Sequence, residues 1–145
     1  MIKIKEITKD NYFLACELTT NKTGEPTLYE EFICSNAMSL AEAKYDLEME
    51  PRTIHWNDTL IGFFMYKEVT EKQVMIYRFM LDYRFHQKGL GKKAMAAILE
   101  YLKNEQDVLL GVDPKNDIAK SLYQSFGFQF TGEINHGEHY YLLKR

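Results

Sequence analysis

Apolar residues recur at two different spacings along this chain, and each spacing predicts one type of secondary structure. Segments in which they alternate with polar residues, or form a short continuous run, predict β-strands. Seven segments have this pattern, at residues 2–7, 52–56, 60–66, 73–81, 108–112, 128–134 and 139–143. Asn57-Asp58 lies between the second and third of these segments, and Asn135-His136-Gly137 lies between the last two. These turn residues predict two β-hairpins.

Between the predicted strands, apolar residues recur every three to four positions, which is the spacing of an amphipathic helix. We expect a first helix to start at Thr8 or Asp10. A later helix is predicted from Ser39, because Ser39 and Glu42 have the spacing of a capping box. The other predicted helices cover residues 27–33, 94–102 and 118–126.

Composition narrows the class of protein. A length of 145 residues suits one mixed α/β domain, residues 1–145, with a single core. A formal net charge of −3 gives no electrostatic basis for a nucleic-acid partner. Cys16 and Cys34 are too few for a disulfide framework or a metal site, and no apolar stretch has the length of a membrane span. We therefore expect a cytoplasmic protein with no metal, no membrane partner and no nucleic-acid partner.

The loop after the fourth predicted strand carries the first candidate chemistry. Gly89, Gly91, Lys92 and Lys93 stand at the start of a predicted helix. The first N–H groups of a helix have no intrahelical partner and lie at the positive end of its dipole, and glycine permits close approach of a bulky anion. The pattern therefore predicts a site for a pyrophosphate group.

Two other phosphate-binding loops fit this sequence less well. A Walker A loop needs Ser or Thr after Gly-Lys, but Lys93 follows Gly91-Lys92, and His86 stands where the first glycine belongs. The spacing of Gly89, Gly91 and Ala94 does match a dinucleotide-binding fingerprint. That fingerprint leaves a buried strand directly, whereas the mostly polar residues 82–88 intervene here.

A second motif decides between these designs. Asn116, Ala119, Leu122, Tyr123 and Gly127-Phe128 follow a short apolar strand. The segment resembles the second signature of the GNAT acetyltransferases, Asn-x-x-Ala-x-x-Leu-Tyr-x-x-x-Gly-Phe, at every position. A coincidental core helix would explain the apolar stripe but not Asn116 and Tyr123. The resemblance covers essentially the whole chain and implies a GNAT fold, with a mostly antiparallel, twisted central sheet of about seven strands flanked by about four helices.

This resemblance implies that acetyl-CoA is the cosubstrate. Tyr123 is the implied catalytic residue, because its hydroxyl could give a proton to the departing thiolate; the alternative is a half-buried packing tyrosine. The implied cofactor-binding residues are Met80 and Leu81 through their main chain, Gln87, Lys88, Gly89, Leu90, Gly91, Lys92, Asn116 and Tyr123. His86 and Gln87 depart from the usual Gln/Arg-Gly of the family loop. We expect Gln87 to need a backbone torsion that glycine adopts more easily.

Within the family, residues 35–45, 78–82 and 89–95 look like the bacterial spermine/spermidine acetyltransferase subgroup. This resemblance implies a small-molecule amine substrate with several positive charges. An acidic run in the helical region suits such a substrate, namely Glu25, Glu30, Glu31, Glu42, Asp46, Glu48 and Glu50. Glu31 and Asp82 are the candidate base or ammonium anchor. The same run is equally compatible with an ordinary solvent-facing surface.

Other interpretations stay open at this point. The acceptor amine can belong to a protein or peptide, which would need an open groove. The chain can also be a non-catalytic acyl-CoA sensor on the same scaffold, although Tyr123 argues against that. His136 and His139 are three residues apart with no third ligand nearby in sequence, which favours a hairpin tip over a metal site. The oligomeric state is undetermined, and a homodimer is one option.

Overall fold

The computed structural model of this protein describes residues 1–23, 35–102 and 105–145. The strands are β1 (Ile2–Glu6), β2 (Glu50–Trp56), β3 (Thr59–Thr70), β4 (Gln73–Leu81), β5 (Asp107–Val112), β6 (Gln129–Asn135) and β7 (Glu138–Leu143). The α-helices within the described ranges are α1 (Tyr12–Glu17), α2 (Asn36–Tyr45), α3 (Leu90–Tyr101) and α4 (Asp117–Ser125). A single 3₁₀ turn, Tyr83–Phe85, follows β4. The helix predicted over residues 27–33 lies outside the described residues.

The seven strands form one sheet in the order β1-β2-β3-β4-β5-β7-β6. Only β4 and β5 run parallel, and every other neighbouring pair is antiparallel. The predicted mixed α/β architecture, with a mostly antiparallel sheet of seven strands, is confirmed. In the part of the chain that the structure describes, no helix is both long and apolar enough to cross a bilayer.

Helices cover both faces of the sheet, because each face presents a separate set of apolar side chains. On one face, α3 and α4 contribute Ile98 and Tyr123 to a cluster that includes Ile76. On the other face, α1 contributes Ala15 to a cluster with Phe63 and further strand residues, and α2 packs at its edge. A sheet buried on both faces explains why its central strands are continuously apolar.

The two parallel strands pair over only half of β4. Their register runs from Gln73 beside Asp107 to Ile76 beside Leu110, and β4 then continues to Leu81 without β5. Because β5 pairs no further than this point, the backbone of residues 77–81 faces an opening on that side of the sheet. This opening positions the candidate site.

A β-bulge lies where the two strands separate. β3 pairs Met65 with Arg78 and Tyr66 with Ile76, so Tyr77 is an extra residue on β4. A bulge bends its strand and shifts the alternation of side chains by one position. After the bulge, the odd-numbered Phe79 packs against the same core cluster that contained the even-numbered Ile76 before it. The bulge therefore accounts both for the separation and for the side chains that β4 presents to the opening.

Three helix starts differ from the sequence prediction. The first helix starts at Tyr12 rather than at Thr8 or Asp10, because the Thr8 N–H donates to the Asn11 side chain and closes a turn there. Helix α2 starts one turn before Ser39, because Ser35 is its N-cap and accepts from the Met38 N–H. The capping box predicted at Ser39 was wrong. The helix predicted from Ala94 starts at Leu90 instead.

Candidate functional site

A cleft of about 590 Å³ lies where β4 and β5 separate. Its walls come from the ends of these strands, the loop after β4, the first turns of α3 and α4, and the start of β7. Six of the predicted site residues line it, namely Met80, Leu81, Gln87, Gly91, Asn116 and Tyr123. The other four, Lys88 and Gly89 at the end of the loop and Leu90 and Lys92 in the first turn of α3, do not line the cleft. The structure therefore brings the two sequence motifs together around one opening.

The N-terminus of α3 is open to a ligand. Gly89 is its N-cap residue with a φ of 73°, in the left-handed region, and no side chain caps the helix. No acidic residue lies in the first turn, and the exposed Lys92 and Lys93 lie there instead. Lysines at this end oppose the helix dipole, so an anion placed there would gain from both charges.

Gly91 leaves an empty space beside this helix start. A Cβ atom built on Gly91 would meet no atom within 4 Å, and its φ is not in the left-handed region. Neither packing nor backbone conformation in the folded chain therefore requires glycine at this position. A ligand that approaches the backbone closely does explain it.

The loop between β4 and α3 contains the torsion expected from its sequence. Gln87 has a φ of 59°, in the left-handed region that side chains other than glycine adopt at a cost. His86 precedes it and its Nε2 lies 2.8 Å from the Leu81 carbonyl oxygen. Of the two residues that depart from the family loop, Gln87 thus adopts a conformation that glycine favours, and His86 contacts the end of β4.

Helix α4 places Asn116 and Tyr123 on the cleft. Asn116 is the N-cap residue, and its Oδ1 accepts from the Ala119 N–H at 3.1 Å. The Nδ2 donors of Asn116 are what this side chain can offer to a ligand. Tyr123 is 9% exposed and packs against Phe128, with 5.8 Å between the ring centroids.

The hydroxyl of Tyr123 is held in its protonated form. Burial raises its pKa above the ordinary 10.0, and the negative charge of Glu138 raises it further. At neutral pH this group can therefore donate a proton but cannot act as a base.

Glu138 is a site residue that sequence reasoning missed. It is the first residue of β7 and lines the cleft together with Tyr123. Burial raises the pKa of its carboxyl above the ordinary 4.5; Arg78 opposes this effect and the negative charge of Asp113 adds to it. Only the pairing of β5 with β7, which puts Gly111 beside Tyr140, brings this side chain to the cleft. Strand alternation alone could not have revealed that register.

Asp82 lies at a different place from the cleft lining. Its carboxylate accepts from the Thr19 N–H at 3.1 Å, from the Arg84 N–H at 3.1 Å and from the Arg84 Nε at 2.7 Å. The side chain is only 1% exposed. Burial acts to raise its pKa, but the hydrogen bonds from Arg84 and Thr19 outweigh burial and hold the pKa below its ordinary 3.8. Three donors within the chain thus occupy the group proposed from sequence as a substrate anchor.

The acidic run falls into two parts. Glu25, Glu30 and Glu31, the other candidate anchor, lie outside the described residues. The described acids pair with basic residues of the sheet: Glu42 with Arg78 at 2.7 Å, Asp46 and Glu48 with Lys67 at 3.2 and 3.4 Å, and Glu50 with Arg52 at 2.8 Å. These four carboxylates are therefore engaged within the protein.

Among the residues that the structure describes, no three or more His, Cys, Asp or Glu side chains are arranged to hold a metal ion. The two histidines of the last hairpin, His136 and His139, therefore belong to no such group. The His139 ring stacks on Phe130, with 4.7 Å between centroids and 12° between planes. His136 has a φ of 50° and occupies the turn.

Three features of the cleft are of the kind that an acyl-CoA molecule needs. Beyond Ile76, β4 offers a strand edge without β5, beside which an extended amide-containing arm can lie. The side chains of Phe79, Ile118 and Leu122 give the cleft apolar walls. The open helix start next to Gly91 suits a pyrophosphate.

Sequence comparison finds acetyltransferases. The profile described as the Acetyltransferase (GNAT) family matches residues 12–128. The spermine/spermidine N(1)-acetyltransferase of Bacillus subtilis (strain 168) is 31% identical over 144 residues, covering 92% of this chain and 91% of the relative. A probable spermine N(1)-acetyltransferase of Bacillus subtilis subsp. natto (strain BEST195) is 30% identical over the same shares of both chains.

Comparison of structures finds the same fold. The PaiA N-acetyltransferase of Thermoplasma acidophilum, in complex with coenzyme A, superposes with a TM-score of 0.73 at 18% identity, covering 100% of this chain and 99% of that one. A GNAT family acetyltransferase of Elizabethkingia anophelis with acetyl-CoA bound gives a TM-score of 0.68 at 15% identity, covering 99% and 98%. The structural similarities show the fold, and the sequence matches show the family. This chain belongs to the GNAT family of acetyltransferases.

Proposed function

We propose that this protein transfers an acetyl group from acetyl-CoA directly to a primary amine of a polyamine such as spermine or spermidine. The observation that carries the proposal is the convergence of two motifs on one cleft. Gly91, at the open start of α3, and the protonated Tyr123, on α4, belong to different helices yet line the same opening. The helix start beside Gly91 suits the pyrophosphate of the cofactor, and Tyr123 suits its thioester end.

The loop and helix start would hold the cofactor. Backbone N–H groups of residues 87–92, together with the charges of Lys88 and Lys92, would bind the pyrophosphate. The main chain of Met80 and Leu81 would hold the pantetheine arm and the acetyl carbonyl, as an oxyanion hole does. Acetyl-CoA supplies an acetyl group activated as a thioester.

The reaction also requires two proton transfers. A primary alkyl amine has a pKa near ~10.4, so it arrives protonated at neutral pH and cannot attack. A base must remove one proton before attack, and an acid must protonate the departing sulfur. Tyr123 is suited to the second role because its hydroxyl, whose pKa lies above the ordinary 10.0, keeps its proton at neutral pH and so has one to give.

The names of the two Bacillus subtilis relatives support a polyamine as the acceptor. The described acidic run gives little support of its own, because its carboxylates are paired with Arg52, Lys67 and Arg78. A polyamine would have to find its anionic partners elsewhere along the cleft.

An amine panel tests this function. The purified protein is given acetyl-CoA and, in turn, spermine, spermidine, a diamine, a monoamine of matched chain length and a peptide with a free N-terminus, and thiol release is followed. We expect kcat/KM for spermine and spermidine to exceed that for the monoamine by roughly tenfold or more, since each extra ammonium gains an anionic partner. Raising the salt concentration should weaken the amine KM more than the acetyl-CoA KM.

Three other results would contradict the proposal in different ways. Equal efficiency for polyamine and monoamine, insensitive to salt, would leave an acetyltransferase of another acceptor. Preference for the peptide would identify a protein or peptide N-acetyltransferase. Calorimetric binding of acetyl-CoA without thiol release for any amine would indicate a non-catalytic sensor.

A further inference from the structure

The cleft contains the carboxylate of Glu138, to which the proposed function assigns no role. Glu138 and Tyr123 both line it, although they come from different elements, β7 and α4. The two side chains interact, because the charge of Glu138 contributes to the raised pKa of the Tyr123 hydroxyl. The neutral hydroxyl of Tyr123 and the carboxylate of Glu138 therefore both lie within the opening between β4 and β5.

Gly111 makes room for this carboxylate. A Cβ atom built on Gly111 would lie 3.0 Å from both Cδ and Oε1 of Glu138 and 3.1 Å from Cε1 of Tyr140. Contacts this short are tighter than ordinary packing, so the neighbouring atoms would have to give way by a few tenths of an ångström. Gly111 is paired with Tyr140 across β5 and β7, two residues from Glu138 on the same face. The carboxyl group of Glu138 thus lies in tight contact with the position that a Cβ atom of residue 111 would take.

Charged groups from several elements surround Glu138. Arg78 on β4 and His136 in the turn before β7 favour its charged form, whereas Asp113 after β5 disfavours it. Arg78 also binds Glu42 at 2.7 Å, so its positive charge is shared with a second carboxylate. Tyr123 and Tyr140 face Glu138 from α4 and from β7 itself, and its charge raises the pKa of both.

We propose that the Glu138 carboxylate binds the reacting ammonium group of the substrate and removes its proton, and that the absence of a side chain at Gly111 leaves the room that this carboxylate uses in the cleft. The inference rests on the proposed amine acetylation. It assigns to Glu138 the roles of base and ammonium partner, because the carboxylate of Asp82 already accepts hydrogen bonds from Thr19 and Arg84. The raised pKa of Glu138 supports the role, because it narrows the gap to the pKa of the amine.

The protons balance. One N–H bond of the ammonium breaks and an O–H bond forms on Glu138, which leaves the electron pair on nitrogen. As the C–N bond forms and the thioester C–S bond breaks, Tyr123 gives its hydroxyl proton to sulfur. The second proton lost by nitrogen restores the Tyr123 hydroxyl, and Glu138 releases its proton to solvent. Each turnover therefore yields the amide, the thiol and one proton.

Four variants test the inference. Glu138→Gln keeps the shape of the side chain and removes its charge and basicity. Glu138→Asp keeps the charge but withdraws it from the cleft, and Gly111→Ala pushes the carboxylate aside. Glu133→Gln is the matched control, because Glu133 is an exposed carboxylate on the neighbouring β6 that does not line the cleft. Thermal unfolding and circular dichroism verify that each variant folds.

Three measurements are made on each variant: kcat/KM for spermidine as a function of pH, calorimetric affinity for spermidine in the presence of coenzyme A, and calorimetric affinity for coenzyme A alone. We expect Glu138→Gln to lower kcat/KM by roughly 100-fold or more and to lower spermidine affinity about tenfold, with the affinity for coenzyme A unchanged. The acidic limb of the wild-type profile, which lies above pH 4.5 because the pKa of Glu138 is raised, should disappear. Gly111→Ala and Glu138→Asp should show smaller losses of the same kind.

The possible failures are distinct. If the wild-type protein acetylates spermidine and Glu138→Gln matches it within about twofold in kcat/KM and in spermidine affinity, this inference is overturned and the proposed function stands. If the wild type acetylates no amine but binds spermidine, and only the Glu138 and Gly111 variants lose affinity, the proposed function and the role of Glu138 as a base both fail, and only the ammonium site stands. A wild type that neither binds nor acetylates spermidine would overturn both.

Discussion

The imidazole of His86 anchors the cofactor loop to the end of β4, with Nε2 lying 2.8 Å from the Leu81 carbonyl oxygen. A carbonyl oxygen only accepts hydrogen bonds, so Nε2 carries the hydrogen. The 3₁₀ turn at Tyr83–Phe85 returns the chain to make this contact, since the His86 N–H donates to the Tyr83 carbonyl at 3.2 Å. Because Leu81 is the last residue of β4, the contact fixes the loop relative to the strand edge on which an acyl arm would lie.

His86→Ala should therefore loosen the loop without unfolding the protein. We expect the acetyl-CoA KM to rise several-fold and the free energy of unfolding to fall by about 1 kcal/mol, the usual contribution of one hydrogen bond. His86→Gln restores the side chain that the family loop usually carries, and its amide can donate to the same carbonyl, so it should keep most of the affinity. Steady-state kinetics and urea unfolding test both variants. An unchanged KM in His86→Ala would show that the loop is held without this bond.

Gln87 offers a test of stored strain, because its φ of 59° lies where side chains with a Cβ are disfavoured. Gln87→Gly should relieve the strain, and the greater freedom of glycine in the unfolded chain offsets part of the gain. We expect a net rise in the free energy of unfolding of roughly 0.5 kcal/mol. Gln87→Val, which is β-branched, should lower it by about 1 kcal/mol or more. Equal destabilisation by both changes in urea unfolding would exclude this account of the loop.

Local patterns predicted most of the fold, whereas two features of the site depend on distant pairing. Alternation of apolar residues and turn dipeptides such as Asn57-Asp58 act within a few residues, so strands and hairpins were accessible from sequence. The bulge at Tyr77 has no comparable local mark, because it exists only relative to the register with β3. Glu138 reaches the cleft only through the register of β5 with β7.

The interpretation of Asp82 illustrates the same limit. A carboxylate after a central strand is typical of a substrate-binding group and of a structural cap alike. The donors that distinguish the two include the Thr19 N–H, which is far away in sequence. In the same way, Glu42 has the sequence spacing of a helix cap, but its carboxylate binds Arg78 on β4.

Asp82→Asn should destabilise the protein in a pH-dependent way. The hydrogen bonds from Arg84 and Thr19 hold the pKa of the folded-state carboxylate below 3.8, so its contribution is fully present above that value and is lost as pH falls through the folded-state pKa. We expect the variant to lose about 1–3 kcal/mol in free energy of unfolding at neutral pH, and this difference to shrink below about pH 4. Urea unfolding at several pH values measures it, with Glu68→Gln, an exposed carboxylate on β3, as the control. A difference that is constant with pH would contradict the structural role of the Asp82 charge.

Gly91 should separate stability from cofactor binding. Its Cβ would meet no atom within 4 Å and its backbone is not left-handed, so Gly91→Ala should raise the free energy of unfolding by up to about 1 kcal/mol through helix propensity. The same methyl group would occupy the space in which a pyrophosphate approaches the backbone. We expect the acetyl-CoA KM to rise in Gly91→Ala and to rise further in Gly91→Val. A higher melting temperature together with a lower acetyl-CoA affinity would show that Gly91 serves the ligand and not the fold. Unchanged affinity in both variants would contradict the pyrophosphate assignment.

Tyr123→Phe should remove only the proton donor, because the ring and its packing against Phe128 are kept. We expect kcat to fall roughly ten- to a thousandfold, with little change in the affinity for acetyl-CoA. The pH profile adds a sharper criterion. A donor works while it is protonated, so activity is lost as pH rises through the pKa of Tyr123, which burial and Glu138 raise above 10.0. The wild type should therefore keep this step beyond pH 10, and Glu138→Gln, which removes one of the two causes, should shift the alkaline limb of its residual activity to lower pH. If Tyr123→Phe turns over at the wild-type rate across the whole pH range, Tyr123 is a packing residue and another group protonates the leaving sulfur.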